Sequence, residues 1–487
     1  MASVESKVLA NVPTGLLRSG GWHQAASGKT LGVDDPSSGQ VLVQVADASV
    51  ADAVAALDSA VAAQAGWAAT SPRERGEILR RTFELMSERN EELALLMTLE
   101  MGKPIAESRS EVAYAADFFR WFSEEAVRLD GSWSTAPDGR SRIVTMKQPV
   151  GPCLLVTPWN FPLAMGARKI GPAFAAGCTV VVKAAKQTPL SMNAIAAIML
   201  EAGLPDGVLN TVTTSTSSSV VSALIDDGRL RKLSFTGSTE VGQSLAAQSA
   251  TSLIRLSLEL GGNAPFIVFE DADVTHAVDQ AVLAKLRNNG EACTAANRFY
   301  VHESIVDRFT SELVARFGQL VVGRGTEDGV TLGPLIDRAA VDKVEELVSA
   351  AVADGATVAF ETGLPSGHGF YCAARVVRDV PPTSRLVQEE IFGPVAPIVS
   401  FSTEEEVIGW ANSSEYGLAA YLFTENLDRT VRVSERLEAG MIGINRGVLS
   451  NPAAPFGGIK ASGYGREGGH VGIDEYVETK YLSLNVR

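Results

Sequence analysis

Cysteine is scarce in this 487-residue chain: Cys153, Cys178, Cys293 and Cys372 are all there are. They stand far apart without paired metal-ligand spacing, which argues against a disulfide framework and a zinc site, and reduced thiols are expected. Histidine is almost as rare. The five, His23, His276, His302, His368 and His470, lie outside every motif described below, so a cysteine hydrolase with a histidine base finds no partner here. Positive charge is in deficit, 42 Lys and Arg against 57 Asp and Glu for a net charge of -15. Without a basic stripe, nucleic acid is not an expected partner. No apolar run approaches the length of a membrane span. The first residues, Met1-Ala-Ser-Val-Glu-Ser-Lys7, lack the basic start and apolar block of a secretory signal, so a cytoplasmic location is expected and a membrane partner is not. Low-complexity linkers and fixed-period repeats are absent too, which argues against an array.

What is present reads as a globular enzyme. Its 46% hydrophobic content supports ordinary cores, and the length allows two or three domains. Val50 to Gly66 is alanine-rich and helical in pattern, and Ser71-Pro72 opens a segment with helical spacing through Met101. A further helix is expected from Glu111 to Val127, with Phe118, Phe119, Trp121 and Phe122 as core. From Gly151 the pattern changes to short apolar runs alternating with helical segments: Cys153 to Val156, Thr179 to Val182, Val208 to Val212 and Leu233 to Phe235. A second series follows at Phe266 to Phe269, Phe299 to Val301, Val395 to Phe401, Leu418 to Phe423 and Met441 to Asn445. This alternation predicts an α/β fold with two parallel sheets joined by crossover helices, their boundary near Glu259. Two pieces fit neither unit. Ser132 to Gln148 reads as a hairpin around Pro137-Asp138-Gly139, and Tyr476 to Val486 as a lone strand. Open strand edges invite association, so the two are expected to build a small oligomerisation element.

Three segments carry chemistry: Thr157-Pro-Trp159-Asn160-Phe-Pro162, Leu258-Glu259-Leu-Gly-Gly262 and Arg287-Asn-Asn-Gly-Glu-Ala-Cys293-Thr294. A thiolate can attack a carbonyl carbon, an amide can hold the oxyanion, and a carboxylate can activate the water that releases product. A weaker signal lies at Thr236-Gly237-Ser238-Thr-Glu-Val-Gly242, a glycine-bearing turn leading into a helix over Gln243 to Gln248. There free backbone N–H groups and the positive helix end suit a phosphate. At the end of the Val180 to Val182 strand, Lys183-Ala-Ala-Lys186 sets two cations where an open α/β fold binds its ligand; they suit a 2′-phosphate better than a free ribose hydroxyl. NADP is therefore expected ahead of NAD.

With Glu390-Ile-Phe392-Gly-Pro394 and Pro455-Phe-Gly-Gly-Ile-Lys460 added, the motifs resemble those of the aldehyde dehydrogenase superfamily, in family order over essentially the whole chain. The resemblance implies a Rossmann-like cofactor domain at 1–130 and 150–258, a catalytic domain at 259–470, and an oligomerisation element at 131–149 and 471–487. It implies assembly as a homodimer or homotetramer. Cys293 would be the nucleophile, with its thiolate favoured. Asn160 and the Cys293 N–H would hold the oxyanion, and Glu259 would be the general base. Trp159, Gly237 and Ser238 would line the cofactor, Gly237 beside its pyrophosphate, and Glu390 and Phe392 would hold the nicotinamide ribose and ring. No metal is implied.

Within the superfamily the chain looks most like succinate-semialdehyde dehydrogenases, on Lys232 to Gly237, Leu258 to Phe269 and Gly457 to Gly463. That likeness implies an acidic aldehyde as substrate, its far carboxylate held by Arg168, Arg287 and Ser450, since an arginine fork donates two parallel bonds to a carboxylate. Glutarate semialdehyde or another short acidic aldehyde is the competing substrate. Several positions depart from the family pattern. Glu291 replaces a common glutamine and, if turned inward, would raise the Cys293 pKa. Ala184 and Lys186 replace a proline and an acid at the cofactor loop, and Thr213-Thr214-Ser215 replaces a more glycine-rich turn. Ala295 stands where some relatives carry a second cysteine, so no disulfide switch is expected. Arg446 is a further cation expected near the substrate mouth.

Overall fold

The computed structural model describes residues 3–485. Residues 1–2 and 486–487, which hold the outer ends of the ranges 1–130 and 471–487 and the expected strand end at Val486, lie outside the described residues. The early helices form where the cap chemistry directs. Ser49 and Asp52 make a capping box at the head of Val50–Ala69, and Ser71 and Glu74 make another at Pro72–Glu88. The helical run expected to reach Met101 is broken: Arg89 leaves helical dihedrals, clamps Glu201 at 2.6 and 2.7 Å, and Asn90–Met101 follows as a separate helix. The next helix, Ile105–Glu125, starts six residues before the expected Glu111, because Pro104 pre-sets the φ of a helix entry. Phe118, Phe119 and Phe122 are core, as read from the sequence, and half-buried Trp121 donates Nε1–H to the Gly469 carbonyl at 3.1 Å.

Two α/β sheets carry the site. In the six-stranded sheet, Arg255–Glu259, Lys232–Thr236, Cys153–Val156, Val180–Lys183 and Leu209–Val212 are neighbours in that order, all parallel. The chain thus runs outward from Cys153–Val156 to one edge, then returns to the other side of that strand. The resulting switch point lies between Cys153–Val156 and Lys232–Thr236, and a ligand crevice is expected beyond their C-terminal ends. Thr157-Pro-Trp-Asn160 and Gly237-Ser238 emerge there. Arg255–Glu259 is the strand that periodicity did not reveal, and Gly463–Tyr464 pairs antiparallel with its end. In the seven-stranded sheet the order is Thr357–Glu361, Arg375–Arg378, Val395–Phe401, Ala296–His302, Ala264–Val268, Ala419–Phe423 and Met441–Ile444. Only the first strand is antiparallel to its neighbour. Its five central and distal strands are those expected from the apolar runs. The fold is α/β with two largely parallel sheets, as the alternation of apolar runs and helical segments predicted.

The hairpin and the terminal strand come together. Ser132–Thr135, Ser141–Pro149 and Val477–Asn485 form one antiparallel three-stranded sheet with Ser141–Pro149 at its centre.

Candidate active site

Cys293 lies between the short turn Arg287–Gly290 and the strand Ala296–His302, fixed by a bond from the Ala295 N–H to the Ala292 carbonyl at 2.9 Å. It is partly exposed and belongs to two cavities at once. The wider, about 270 Å³, opens at the switch point of the six-stranded sheet; Trp159, Asn160, Gly237, Ser238, Glu390 and Phe392 all line it. The narrower is lined by Tyr114, Phe161, Arg168, Arg287, Ser450 and Phe456. The structure therefore brings six of the expected residues, all but Lys183 and Lys186 of the cofactor set among them, to one cavity at the thiol and the expected carboxylate ligands to the other.

Several contacts fix the wide cavity. Glycine at 262 lets the Leu258-to-Gly262 segment lie against the nucleophile, since a Cβ there would be 2.3 Å from the Cys293 carbonyl oxygen. The helix beyond Gly237 begins at Thr239, earlier than the expected Gln243, with Ser238 as N-cap accepting from the Val241 N–H at 3.4 Å. Its first-turn N–H groups face the crevice end of the sheet, as an anion site requires. Trp159 meets Phe392 edge-on at 5.5 Å between ring centroids, and Phe392 holds a left-handed φ of 55°. Glu390 accepts from the Gly262 N–H at 3.1 Å, and burial pushes its carboxyl up to about 7. Lys183 and Lys186 stand beyond the lining. Lys183 is buried at its strand end and Lys186 is exposed. Burial first and the Lys186 charge second push the Lys183 ammonium down to about 8, so the two cations repel each other.

Asn160 is held from three directions. Its Nδ2 donates to the Glu291 carbonyl at 3.0 Å, while its own carbonyl accepts from Asn288 Nδ2 at 2.9 Å and Lys103 Nζ at 3.2 Å. Lys103 pairs with the buried Glu111, whose other oxygen accepts the Leu163 and Ala164 N–H groups. Neither Lys103, Glu111 nor Asn288 stood out in the sequence. Asn288 and Asn289 both hold φ near 58°, a conformation asparagine tolerates better than most residues.

Glu259 ends the strand Arg255–Glu259 and is almost fully buried. It does not line either cavity, although its charge bears on the Cys293 thiol. Neither carboxylate oxygen has a hydrogen-bond partner. Burial, then Glu467, raise its carboxyl well above the usual range, against the pull of Arg168 and Lys169. Glu467, which no motif announced, pairs with both Arg168 and Lys169 in a buried cluster. Arg168 lies over the Phe456 ring at 4.1 Å, and its Nη2 is left without a partner. Arg287 differs: it donates from Nη1 to Ser450 Oγ at 2.8 Å, lies over the Phe161 ring at 5.0 Å, and has no carboxylate partner among the described residues.

One orientation left open by the sequence is decided here, and one expectation changes. Glu291 turns away from the thiol, accepting the Ile336 N–H at 3.0 Å, and the charges acting on Cys293 are Arg168, Glu390, Glu259 and Arg287. The thiolate is not favoured in this state either: burial pushes the Cys293 thiol up to about 11, and Arg168 only partly opposes this. Arg446 is exposed and lines neither cavity. Among the described residues, no three metal-ligating side chains gather and no helix is long and apolar enough to cross a membrane.

A pH dependence follows. The reactive thiol form is the deprotonated one, and a pKa above the assay pH makes its fraction rise about tenfold per pH unit. A base must likewise be deprotonated, and Glu259 is raised. Both effects have the same sign, so kcat/KM should climb from pH 7 through pH 9 without a plateau. A rate flat between pH 6 and 8 would contradict this geometry.

The family model described as "Aldehyde dehydrogenase family" matches residues 22–482. The chain is 55% identical to the succinate-semialdehyde dehydrogenase of Paenarthrobacter nicotinovorans over 445 residues, 91% of this chain and 99% of that one. It is 47% identical to a glutarate-semialdehyde dehydrogenase of Pseudomonas putida, covering 96% and 97% of the two chains. It is 46% identical, with the same coverage, to the NADP(+) succinate-semialdehyde dehydrogenase GabD of Escherichia coli. An aldehyde dehydrogenase crystal structure from Brucella melitensis superposes with a TM-score of 0.97 at 46% identity over all of both chains. A Staphylococcus aureus betaine aldehyde dehydrogenase in complex with NAD+ gives 0.95 at 32% identity, over 100% of this chain and 97% of that one.

Proposed function

Because the chain belongs to the aldehyde dehydrogenase family, and is thus an NAD(P)-dependent oxidoreductase, we propose that it oxidises succinate semialdehyde to succinate. The observation that carries this reading is Arg287, an uncompensated guanidinium braced by Ser450 in the narrow cavity that shares Cys293. Cys293 attacks the aldehyde carbon, and the oxyanion of the thiohemiacetal is held by the Asn160 amide and the Cys293 N–H; one such donor is worth about 3 to 4 kcal/mol. Bound NAD(P)+ supplies the hydride acceptor that converts this adduct to a thioester. Glu259, whose carboxylate has no partner to give up, turns to the thioester and takes a proton from the water that hydrolyses it. Arg168 and Arg287 with Ser450 orient the substrate's far carboxylate throughout.

The wide cavity fits the dinucleotide. Gly237 and Ser238 with the following helix start meet the pyrophosphate, Glu390 and Phe392 the nicotinamide ribose and ring, and Trp159 the wall between cofactor and Asn160. Lys183 and Lys186, mutually repelling and free of carboxylates, suit a 2′-phosphate, so NADP is preferred and NAD remains usable. Glutarate semialdehyde is the alternative substrate, because one methylene changes discrimination by only about 1 to 3 kcal/mol, and a relative of 47% identity carries that name. The test is the initial rate of reduced-cofactor formation with succinate semialdehyde, glutarate semialdehyde and butanal, each with NADP+ and NAD+. Faster turnover of an acidic aldehyde with NADP+ is expected. Equal rates on butanal would overturn the substrate, and equal or faster rates with NAD+ the cofactor preference.

On this reading residues 1–130 and 150–258 carry the cofactor, 259–470 the nucleophile, and 131–149 with 471–487 the assembly contacts. The three-stranded sheet exposes Trp133 and Tyr481, at 66% and 59%, beside Leu482 and Leu484. That apolar surface and an open edge support a homodimer or homotetramer, which a monomeric mass by light scattering would refute. A cytoplasmic location goes with four free thiols.

A further inference from the structure

The narrow cavity holds one polar atom that neither the motifs nor the proposed roles use. Tyr114, on the helix Ile105–Glu125, turns its hydroxyl into the space shared by Arg168, Arg287 and Ser450. The hydroxyl is buried and makes no hydrogen bond of full geometry, although Ser450 and Arg168 lie near enough to act on it. A buried hydroxyl left without a full bond costs free energy, so its persistence calls for a partner that arrives later. The ring itself is held in place, edge-on to Phe118 at 5.0 Å and with the Arg287 guanidinium 6.0 Å away. Burial keeps the phenol protonated, above its ordinary value, even though Arg168, Arg287 and Ser450 pull the other way. It is therefore a donor at neutral pH. Nη2 of Arg168 also lacks a bond of full geometry, and Arg168 lines the same cavity, so two weakly used donors and one uncompensated cation converge where the thiol's substrate must lie.

We propose that Tyr114 is a further ligand of the substrate's far carboxylate, donating its O–H to an oxygen that Arg168 and Arg287 also hold. The inference rests on the acidic-aldehyde reading above and sharpens it: carboxylate recognition is a donor set of two guanidinium groups and two hydroxyls, completed only when substrate enters. A carboxylate has about four lone-pair sites, enough to accept from all of them. An aldehyde without the carboxylate leaves the phenol as it is in the free enzyme and gains nothing from it.

The experiment compares wild type with Tyr114→Phe on succinate semialdehyde and on butanal at saturating NADP+, with thermal midpoints measured with and without succinate. For the variant, kcat/KM on the acid should fall about tenfold, through KM rather than kcat, while butanal turnover is unchanged. The ligand-free midpoint should fall little, since only weak contacts to Ser450 and Arg168 are lost, and the upward shift caused by succinate should shrink. Wild-type preference for the acid with no loss in the variant, or an equal loss on both aldehydes, would overturn the role of Tyr114 and leave the substrate reading standing. No wild-type preference for the acid would overturn the substrate reading and this inference with it.

Discussion

Glu259→Gln is expected to form one reduced cofactor per site in a burst and then turn over on the order of 10² to 10⁴-fold more slowly than wild type. The reasoning separates the two halves of the reaction by the groups they need. Formation of the thioester uses the Cys293 thiol, the Asn160 amide and the bound cofactor, none of which requires Glu259. Hydrolysis needs a base, and an amide cannot take up a proton. The substitution keeps the side chain's volume, and neither Glu259 oxygen makes a hydrogen bond that glutamine would lose. Charge makes the contrast sharper. Ionised Glu259 is one of the groups holding the Cys293 thiol up, so its removal can only favour the thiolate, and the burst should be at least as fast as in wild type. Its loss also removes a like charge facing Glu467, and leaves the buried Arg168 and Lys169 with Glu467 as their remaining carboxylate. Stopped-flow absorbance resolves burst from steady state, and mass spectrometry finds the acyl group on Cys293. An undiminished steady rate would remove Glu259 from hydrolysis, and a vanished burst would place it in the first half-reaction instead.

Much of this site was legible because motif residues and apolar runs report local facts. The strands Cys153–Val156 and Val180–Lys183 are buried on both faces and appear as unbroken apolar stretches. Arg255–Glu259 escaped notice because it is next to the edge of its sheet, with its first two residues half-exposed and an arginine and a serine interrupting the pattern. The segment that ends in Glu259 therefore looked like a boundary, not a strand. Residues that act at a distance were harder still. Glu467 lies almost three hundred positions from its partners Arg168 and Lys169, and its importance comes only from the fold that buries all three together. Tyr114 sits one helical turn before Phe118, so its spacing announces a core face, and nothing local tells that its hydroxyl overlooks the thiol's second cavity. Glu291 is a position the sequence left open: its place two residues before Cys293 allowed a charge beside the thiol, and the backbone turn directs the carboxyl to the Ile336 N–H instead.

Arg287→Ala should lower kcat/KM for succinate semialdehyde on the order of 10²-fold and leave butanal within a few-fold of wild type. The choice of Arg287 over Arg168 follows from their partners. Arg168 is already paired with Glu467, which draws its charge away from substrate, and deleting it would leave a buried carboxylate with Lys169 alone, an outcome that costs stability as well as binding. Arg287 has no carboxylate to abandon. Its one hydrogen bond runs to Ser450, half-buried and within reach of water, so the folded state should tolerate the change with little shift in melting temperature. Whatever activity disappears can then be assigned to the substrate's charge. The effect should reside in KM, because the carboxylate is held equally before and during attack, and raising ionic strength should weaken wild-type affinity for the acid while sparing the variant. A variant that loses the acid and the uncharged aldehyde alike would show Arg287 to be a support of the Cys293 loop rather than a ligand. A variant that loses neither would move carboxylate recognition to Arg168 and Ser450, and the cation that best distinguishes this cavity would have no part in choosing its substrate.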